Sequence, residues 1–235
     1  MKEPKYKRVL IKLSGEALSG DGQILNFPFI EQVAKVIKKC TDEGVQVAVI
    51  VGAGNIWRGR QGTGMERCRA DHMGMLATTI NSLALQDVFL RVGMNAVVMS
   101  AVEMQAYADK YTSRSAIEAL ESGKVVILAG GLGTPFFSTD TAAVLRAAEM
   151  QTDCILMAKN IDGIYDGDPK VNKEAKRYSE ITYKQMIEDN LRALDLSSAI
   201  FCQENDINGY AFGLADPENI YRVVMGEAVG TAIHN

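Results

Sequence analysis

The sequence predicts an α/β protein with a mostly parallel central sheet and helices on both faces. Five short β-branched or aliphatic runs, RVLIKL, VQVAVIV, NAVVMS, KVVILAG and CILMAK, are each bounded by turn residues. Segments with apolar residues at helical spacing lie between them, and that alternation is the pattern of a parallel sheet connected by crossover helices. No internal repeat, low-complexity segment or linker interrupts the 235 residues, so residues 1–235 read as one domain.

The elements follow in order. After the first strand, Asn26 can cap a helix whose first turn tolerates Pro28; Ile30, Val33, Ala34 and Ile37 form its apolar stripe, and Gly44 follows its end. A second helix spans about 66–91, with Gly74 as a point where it could kink, and a third spans 113–121. The fourth should start at Ser138-Thr139-Asp140-Thr141, cap residues directly before an apolar run. After CILMAK, the Gly-, Asp- and Lys-rich stretch 160–181 reads as a projecting hairpin or long loop before a helix near 183–189. Asp216-Pro217 then opens a short helix to about Met225.

Composition excludes several classes. A net charge of −4, with no basic cluster longer than Lys38-Lys39, offers nucleic acid or an acidic membrane no electrostatic footprint. No run approaches the ~20 apolar residues of a membrane span, and Lys12 breaks the N-terminal apolar run before it could serve as a signal-peptide core. Cys40, Cys68, Cys154 and Cys202 fit no C-x-x-C spacing and read as buried small hydrophobes in a reducing, cytoplasmic setting. His234 falls in what reads as a frayed tail, and His72 at a helix start, so histidine chemistry is disfavoured.

Ligands of open α/β sheets bind at the carboxyl ends of strands, and four strand ends here carry unusual chemistry. The first is Lys12-Leu13-Ser14-Gly15: a lysine interrupting an apolar strand before a small flexible turn, without the Gly-Lys-Ser/Thr of a Walker loop. The second is VIVGAGNIWRG, where Gly52 and Gly54 start a dinucleotide fingerprint but Trp57 occupies the place of its third glycine. Arg58 follows as a planar fork of donors suited to phosphate. The third, AGGLGTPFFSTDTAA, joins bare glycine backbone to Phe136-Phe137 and then to Ser138, Thr139 and Asp140 at a helix N-terminus. The fourth sets Tyr165, a ring able to stack on a base, beside carboxylates including Asp168; the spacing is not that of an EF-hand. Taken singly, each also reads as an ordinary turn, helix cap or core pair.

Together, K-L-S-G, G-A-G-N-I-W-R, A-D-H-M-G-M-L-A-T, P-F-F-S-T-D and D-G-I-Y-D-G-D-P, in this order, resemble the bacterial-type uridylate kinases (UMP kinases) of the amino acid kinase family. The resemblance implies a three-layer αβα sandwich and transfer of the ATP γ-phosphoryl group to UMP with Mg²⁺. It implies that Lys12, Leu13, Ser14, Gly15, Gly54 and Arg58 meet the ATP phosphates, with Lys12, Arg58 and Asp140 catalytic. Asn160, Tyr165 and Asp168 would lie on the adenosine side, although Lys159-Asn160 leaves that register open by one residue. UMP would meet Ala53, Asp71, Leu132, Gly133, Thr134, Pro135, Phe136, Phe137, Ser138 and Thr139.

The family is commonly a homohexamer activated by GTP and inhibited by UTP, and Gly20, Asp21, Gly22, Gln23, Ile24 and Leu25 match a region tied to GTP. Two departures stand out. Ala53 replaces a glycine of G-G-G-N, which restricts its backbone to negative φ unless strained, and Leu132-Gly133-Thr134 stands where Thr-Gly-Asn is usual. Two alternatives remain at this point: a kinase of the same family acting on a carboxylate, carbamate or isopentenyl phosphate, and a nucleotide-binding regulator without catalysis.

Overall fold

Leu10 and Ile11 are neighbours on strand β1 (Arg8–Leu13) and are buried in different hydrophobic cores. Because side chains alternate along a strand, Val9, Ile11 and Leu13 meet one core and Leu10 the other. The first core lies under α1 (Phe27–Asp42), the second half of α2 (Arg67–Arg91) and α7 (Glu218–Val224). The second lies under α3 (Ser113–Glu121), α4 (Thr139–Glu149), α5 (Tyr183–Glu188) and α6 (Leu196–Glu204). Helices thus cover both faces of the sheet, making the three-layer αβα sandwich that the sequence implied. The computed structural model describes residues 3–20, 22–57, 64–169, 171–191 and 193–235.

Among the described residues nine strands form one sheet. Its order is β4 (Asp109–Lys110), β3 (Ala96–Ser100), β5 (Val125–Ala129), β2 (Gln46–Val51), β1, β6 (Cys154–Lys159), β8 (Gly209–Gly213), β9 (Thr231–His234) and β7 (Glu180–Thr182). The ladders are parallel except between β8 and β9. The chain leaves β1 for β2 on one side and returns as β6 on the other, so β1 marks the topological switch where a ligand crevice is expected. At the opposite end of β1, Arg8 donates to Met150 O at 2.7 Å and Gln46 Oε1 at 2.6 Å, and pairs with Glu121 at 3.2 Å. The strand is therefore pinned at its entry and carries its chemistry at its exit.

Local signals place the helices. Asn26 Oδ1 accepts from Phe29 N at 3.2 Å to cap α1, and Pro28 sits in its first turn. Thr112 and Ser115 make a reciprocal capping box at α3. Asp216 Oδ1 accepts from Glu218 N at 3.1 Å ahead of α7. No helix among the described residues is long and apolar enough to cross a membrane.

Helix α2 runs unbroken through Gly74, where a Cβ would make an ordinary contact of 4.0 Å with Trp57 Cδ1. Two expectations need correction. Residue 234 is not frayed: His234 ends β9, which pairs with β7 and β8, because the buried Thr231 and Ile233 tie the tail to the sheet. Cys68 is only partly buried, unlike Cys40, Cys154 and Cys202, because it lies in the exposed first turn of α2.

Candidate active site

The loops after β1, β2 and β5 touch. A Cβ on Gly15 would lie 2.6 Å from Gly52 O, Gly54 N and Asn55 Oδ1, so only glycine lets the first loop rest on the second. The Cβ position of Gly52 is in turn 3.8 Å from Thr139 Oγ1, in the first turn of α4.

An amide pair fixes this meeting point. Asn81, fully buried on α2, donates to Gly52 O and to Asn55 Oδ1, both at 2.8 Å. Asn55 returns a bond to Asn81 Oδ1 at 2.9 Å and donates to Ile24 O at 2.9 Å. Trp57 Nε1 donates to Ala70 O at 2.9 Å, so the indole that excluded a dinucleotide fingerprint anchors the loop to α2 instead. Ile24 belongs to a tight turn in which Gly20 and Gln23 exchange backbone hydrogen bonds and Gly22 has φ +76°. Leu13 is fully buried and its carbonyl accepts from Gly52 N at 3.0 Å, and Ser14 Oγ accepts from Ala17 N at 3.2 Å to cap the short 3-10 turn Gly15–Leu18. Arg58 and Asp21 lie outside the described residues.

Alternation along β1 puts Lys12 on the Leu10 face, toward α4. There Lys12 Nζ stands 2.9 Å from Asp140 Oδ1, with side-chain exposures of 12% and 18%. Asp140 Oδ1 is buried and lacks a hydrogen bond of good geometry, so the contact is an ion pair approached off the ideal bonding line. Burial by itself would raise the Asp140 pKa; the charges of Lys12 and Lys159, with the backbone of Asp195, outweigh it and hold the carboxyl below its ordinary value. Lys159, at the end of β6, donates to Ala193 O at 2.6 Å. Its pKa is lowered by burial and by the charge of Lys12, against the opposing pull of Asp140 and Asp195. Lys12 and Lys159 thus meet the carboxylates of Asp140 and Asp195 at the strand ends.

On one side of this cluster lies a cavity of about 220 Å³ between α2 and the loop after β5. Ala53, Asp71, Leu132, Thr134, Phe137, Ser138 and Thr139 line it, together with Trp57, Arg67 and Thr78. Ala53 is not among the residues with positive φ, so its methyl is accommodated without backbone strain. Gly133, Pro135 and Phe136 are not on this wall. Gly133, at φ +75°, backs onto Ala101, whose carbonyl oxygen would be 3.0 Å from a Cβ there. Ser138 Oγ accepts from Asp140 N at 3.0 Å and Thr141 N at 3.2 Å, capping α4. Thr78 Oγ1 accepts from Gly130 N at 2.9 Å and ties α2 to the start of the loop.

Phe136 has φ +74° and is 62% exposed, which rules out the reading of the Phe-Phe pair as plain core. A left-handed conformation costs a bulky residue on the order of 1–3 kcal/mol and persists only when its surroundings enforce it. Here Asp71 Oδ2 accepts from Phe136 N at 2.8 Å.

On the other side, the loop after β6 together with Asp189, Asn190, Leu191 and Ala193 encloses about 620 Å³. Tyr165, Asp168 and Lys159 line this cavity; Asn160 is exposed and does not. Tyr165 Oη donates to Asp162 Oδ1 at 2.7 Å, which raises the phenol pKa, and Asp162 pairs with Arg177 at 2.7 Å. A third cavity of about 330 Å³, lined by Asp140, Lys159 and Asp195, lies between the other two. Adjacent Thr139 and Asp140 connect it to the first, and Lys159 is shared with the second. The three cavities are thus neighbours along the strand ends, with the charged cluster among them.

Neighbouring cavities on either side of a charged centre suit two substrates, and the amino acid kinase family model matches residues 7–211. The chain belongs to the amino acid kinase family. Among solved structures of this family, a UMP kinase from Bacillus anthracis is 38% identical, covering 97% of this chain and 96% of its own, with a TM-score of 0.94. A UMP kinase from Ureaplasma parvum is 36% identical over 98% of this chain and 100% of its own, with a TM-score of 0.93. A uridylate kinase from Archaeoglobus fulgidus is 28% identical over 96% and 99%, with a TM-score of 0.72.

Sequence reading left Asn55, Asn81 and Lys159 without roles. The signal that singled out Lys12, a lysine at the end of an apolar strand, applies equally to Lys159. Asn81 stands out only as an amide within an apolar stretch of α2.

Gly15→Ala tests the loop contact. We expect kinase kcat/KM to fall at least ~10²-fold, the scale of a 1 Å displacement of reacting groups, with an unchanged far-UV circular dichroism spectrum. Near-normal activity would show that the two loops need not touch.

Proposed function

We propose that the protein transfers the γ-phosphoryl group of ATP to UMP, giving UDP and ADP and so supplying pyrimidine nucleotide synthesis. The observation that carries this reading is a set of neighbouring cavities around Asp140 and Lys159, with Lys12 paired to Asp140. ATP takes the side formed by the loop after β6, where Tyr165 offers a ring for stacking and Asp168 a carboxylate for ribose hydroxyls. UMP takes the α2 side, where Asp71 offers a carboxylate to its ribose. The high similarity to two UMP kinases supports the choice of acceptor.

Phosphoryl transfer asks a protein for alignment and charge stabilisation rather than covalent chemistry. A UMP phosphate oxygen attacks the γ-phosphorus, the bond to the bridging oxygen breaks, and ADP leaves. The attacking oxygen is already anionic, so no general base is needed. In this reading Lys12 and the N–H groups of the Gly15 and Gly54 loops stabilise the charge that accumulates, and Asp140, paired with Lys12, orients it. Arg58 is assigned to the same phosphates by motif. Mg²⁺ bound to ATP would neutralise its β- and γ-oxygens. Asp140, whose buried Oδ1 lacks a directed hydrogen bond, is the carboxylate placed to meet that ion or its water; no group of three potential ligands occurs among the described residues.

Assembly and regulation extend the reading. Met73, Leu76, Ile80 and Leu90 lie exposed along α2, an apolar stripe suited to subunit contacts in a homohexamer. GTP activation would act through residues 20–25, whose Ile24 carbonyl is bonded to Asn55 in the phosphate loop; UTP would inhibit. Adding either nucleotide to the UMP assay checks both effects. The four free cysteines suit a reducing, cytoplasmic setting.

A coupled ADP-release assay with UMP, CMP, acetylglutamate and carbamate tests the acceptor. Turnover of UMP alone is expected, and tight ATP binding without turnover would favour a non-catalytic regulator. Lys12→Ala should lower kcat at least ~10²-fold, the scale of losing one preorganised charge; near-normal single-turnover transfer would remove Lys12 from that role. Leu76→Glu together with Ile80→Glu should give species smaller than a hexamer in analytical ultracentrifugation. An unchanged sedimentation coefficient would place the subunit contacts elsewhere.

A further inference from the structure

We propose that Arg67 is a positioning residue for the acceptor nucleotide, holding Asp71 and the Phe136 turn in their receiving geometry; this rests on the UMP kinase reading. Two contacts converge on it, and a third joins their partners. Arg67 Nε lies 2.7 Å from Asp71 Oδ2, the same oxygen that accepts from Phe136 N at 2.8 Å. The Arg67 guanidinium carbon stands 5.3 Å from the centroid of the Phe136 ring, within cation-π range. One arginine therefore braces both the carboxylate and the aromatic turn that the carboxylate holds. Arg67 and Asp71 also share the wall of the acceptor cavity.

Helix stability does not account for this arginine. Arg67 is the first residue of α2, where the helix dipole disfavours a cation. The pair also runs cation first, with the acid four residues on, the weaker of the two orientations for a helix. Both local preferences are broken at a single position, and such conflicts concentrate where function requires them. The tertiary gain is orientation. The Asp71 side chain is 14% exposed, and the bonds of Oδ2 to Arg67 and to Phe136 N fix its carboxyl plane at the wall of the acceptor cavity. Removing the guanidinium leaves that plane less constrained and takes the support from the left-handed turn at Phe136.

The test is steady-state kinetics of Arg67→Ala and Arg67→Lys, each also in an Asp71→Asn background. Arg67→Ala should raise KM for UMP about tenfold, the scale of one lost charge-assisted contact, while KM for ATP stays at the wild-type value. Arg67→Lys should recover part of the loss, because an ammonium can pair with Asp71 but lacks the planar fork that stacks on Phe136. In the Asp71→Asn background, Arg67→Ala should add little, since the partner through which it acts is already neutral. An unchanged KM for UMP, equal effects on both substrates, or full additivity with Asp71→Asn would each overturn the proposal. A wild-type protein unable to phosphorylate UMP would remove the reading beneath it, and the proposal with it.

Discussion

The ion pair between Lys12 and Asp140 is the constraint around which the strand ends are arranged. Taking two charges largely out of water costs several kcal/mol per ion, on the order of what their attraction returns. A well-packed apolar pair at these positions would stabilise the sheet as well or better, so stability alone is a weak reason for the pair. Placement explains it more fully: the alternation of β1 aims Lys12 at the first turn of α4, and burial ensures that its charge is felt by any anion entering the crevice. Lys159 adds a second cation from β6, and the carboxylate stays ionised between them.

The two sides of that centre are built differently. The α2 side is braced by directed side-chain bonds, from Asn81, Trp57, Thr78 and Asp71 to the backbone of the loops they hold. Its loop after β5 takes three glycines at positive φ, Gly130, Gly131 and Gly133, which lets bare backbone approach a ligand closely. The opposite side is a long excursion held by the Tyr165, Asp162 and Arg177 contacts at its base. Preorganisation on one side and a larger, looser cavity on the other match one substrate that must be aligned and another that is gripped chiefly by its phosphates.

Most of the fold was legible because its central strands are uninterrupted apolar runs and its helices carry explicit caps, such as Asn26 at α1 and Ser138 at α4. The outer strands were not. β4 is two polar residues, β7 is three residues with only Ile181 apolar, and β8 begins and ends in glycine, so their strand character comes from the neighbours they pair with. Helix α6 carries two serines in its first turn, one of them buried, which hides its apolar face from a periodicity reading.

In the site, Lys12, Asp71 and Asp140 stood out as charges set in motifs. Asn81 acts 29 residues from Gly52, and Lys159 matters because β6 lies beside β1, neither of which sequence spacing displays. Phe136 illustrates the limit from the other direction: its composition reads as core, yet Asp71 holds it exposed at positive φ.

The central claim is that UMP and ATP meet at Lys12 from the neighbouring α2-side and β6-side cavities. A crystal structure with UMP and a non-hydrolysable ATP analogue tests it directly. The expected result is uridine against Asp71 and Phe137, adenosine against Tyr165, and the γ-phosphate beside Lys12. Nucleotides bound in the reverse order, or a γ-phosphate out of reach of Lys12, would contradict the account.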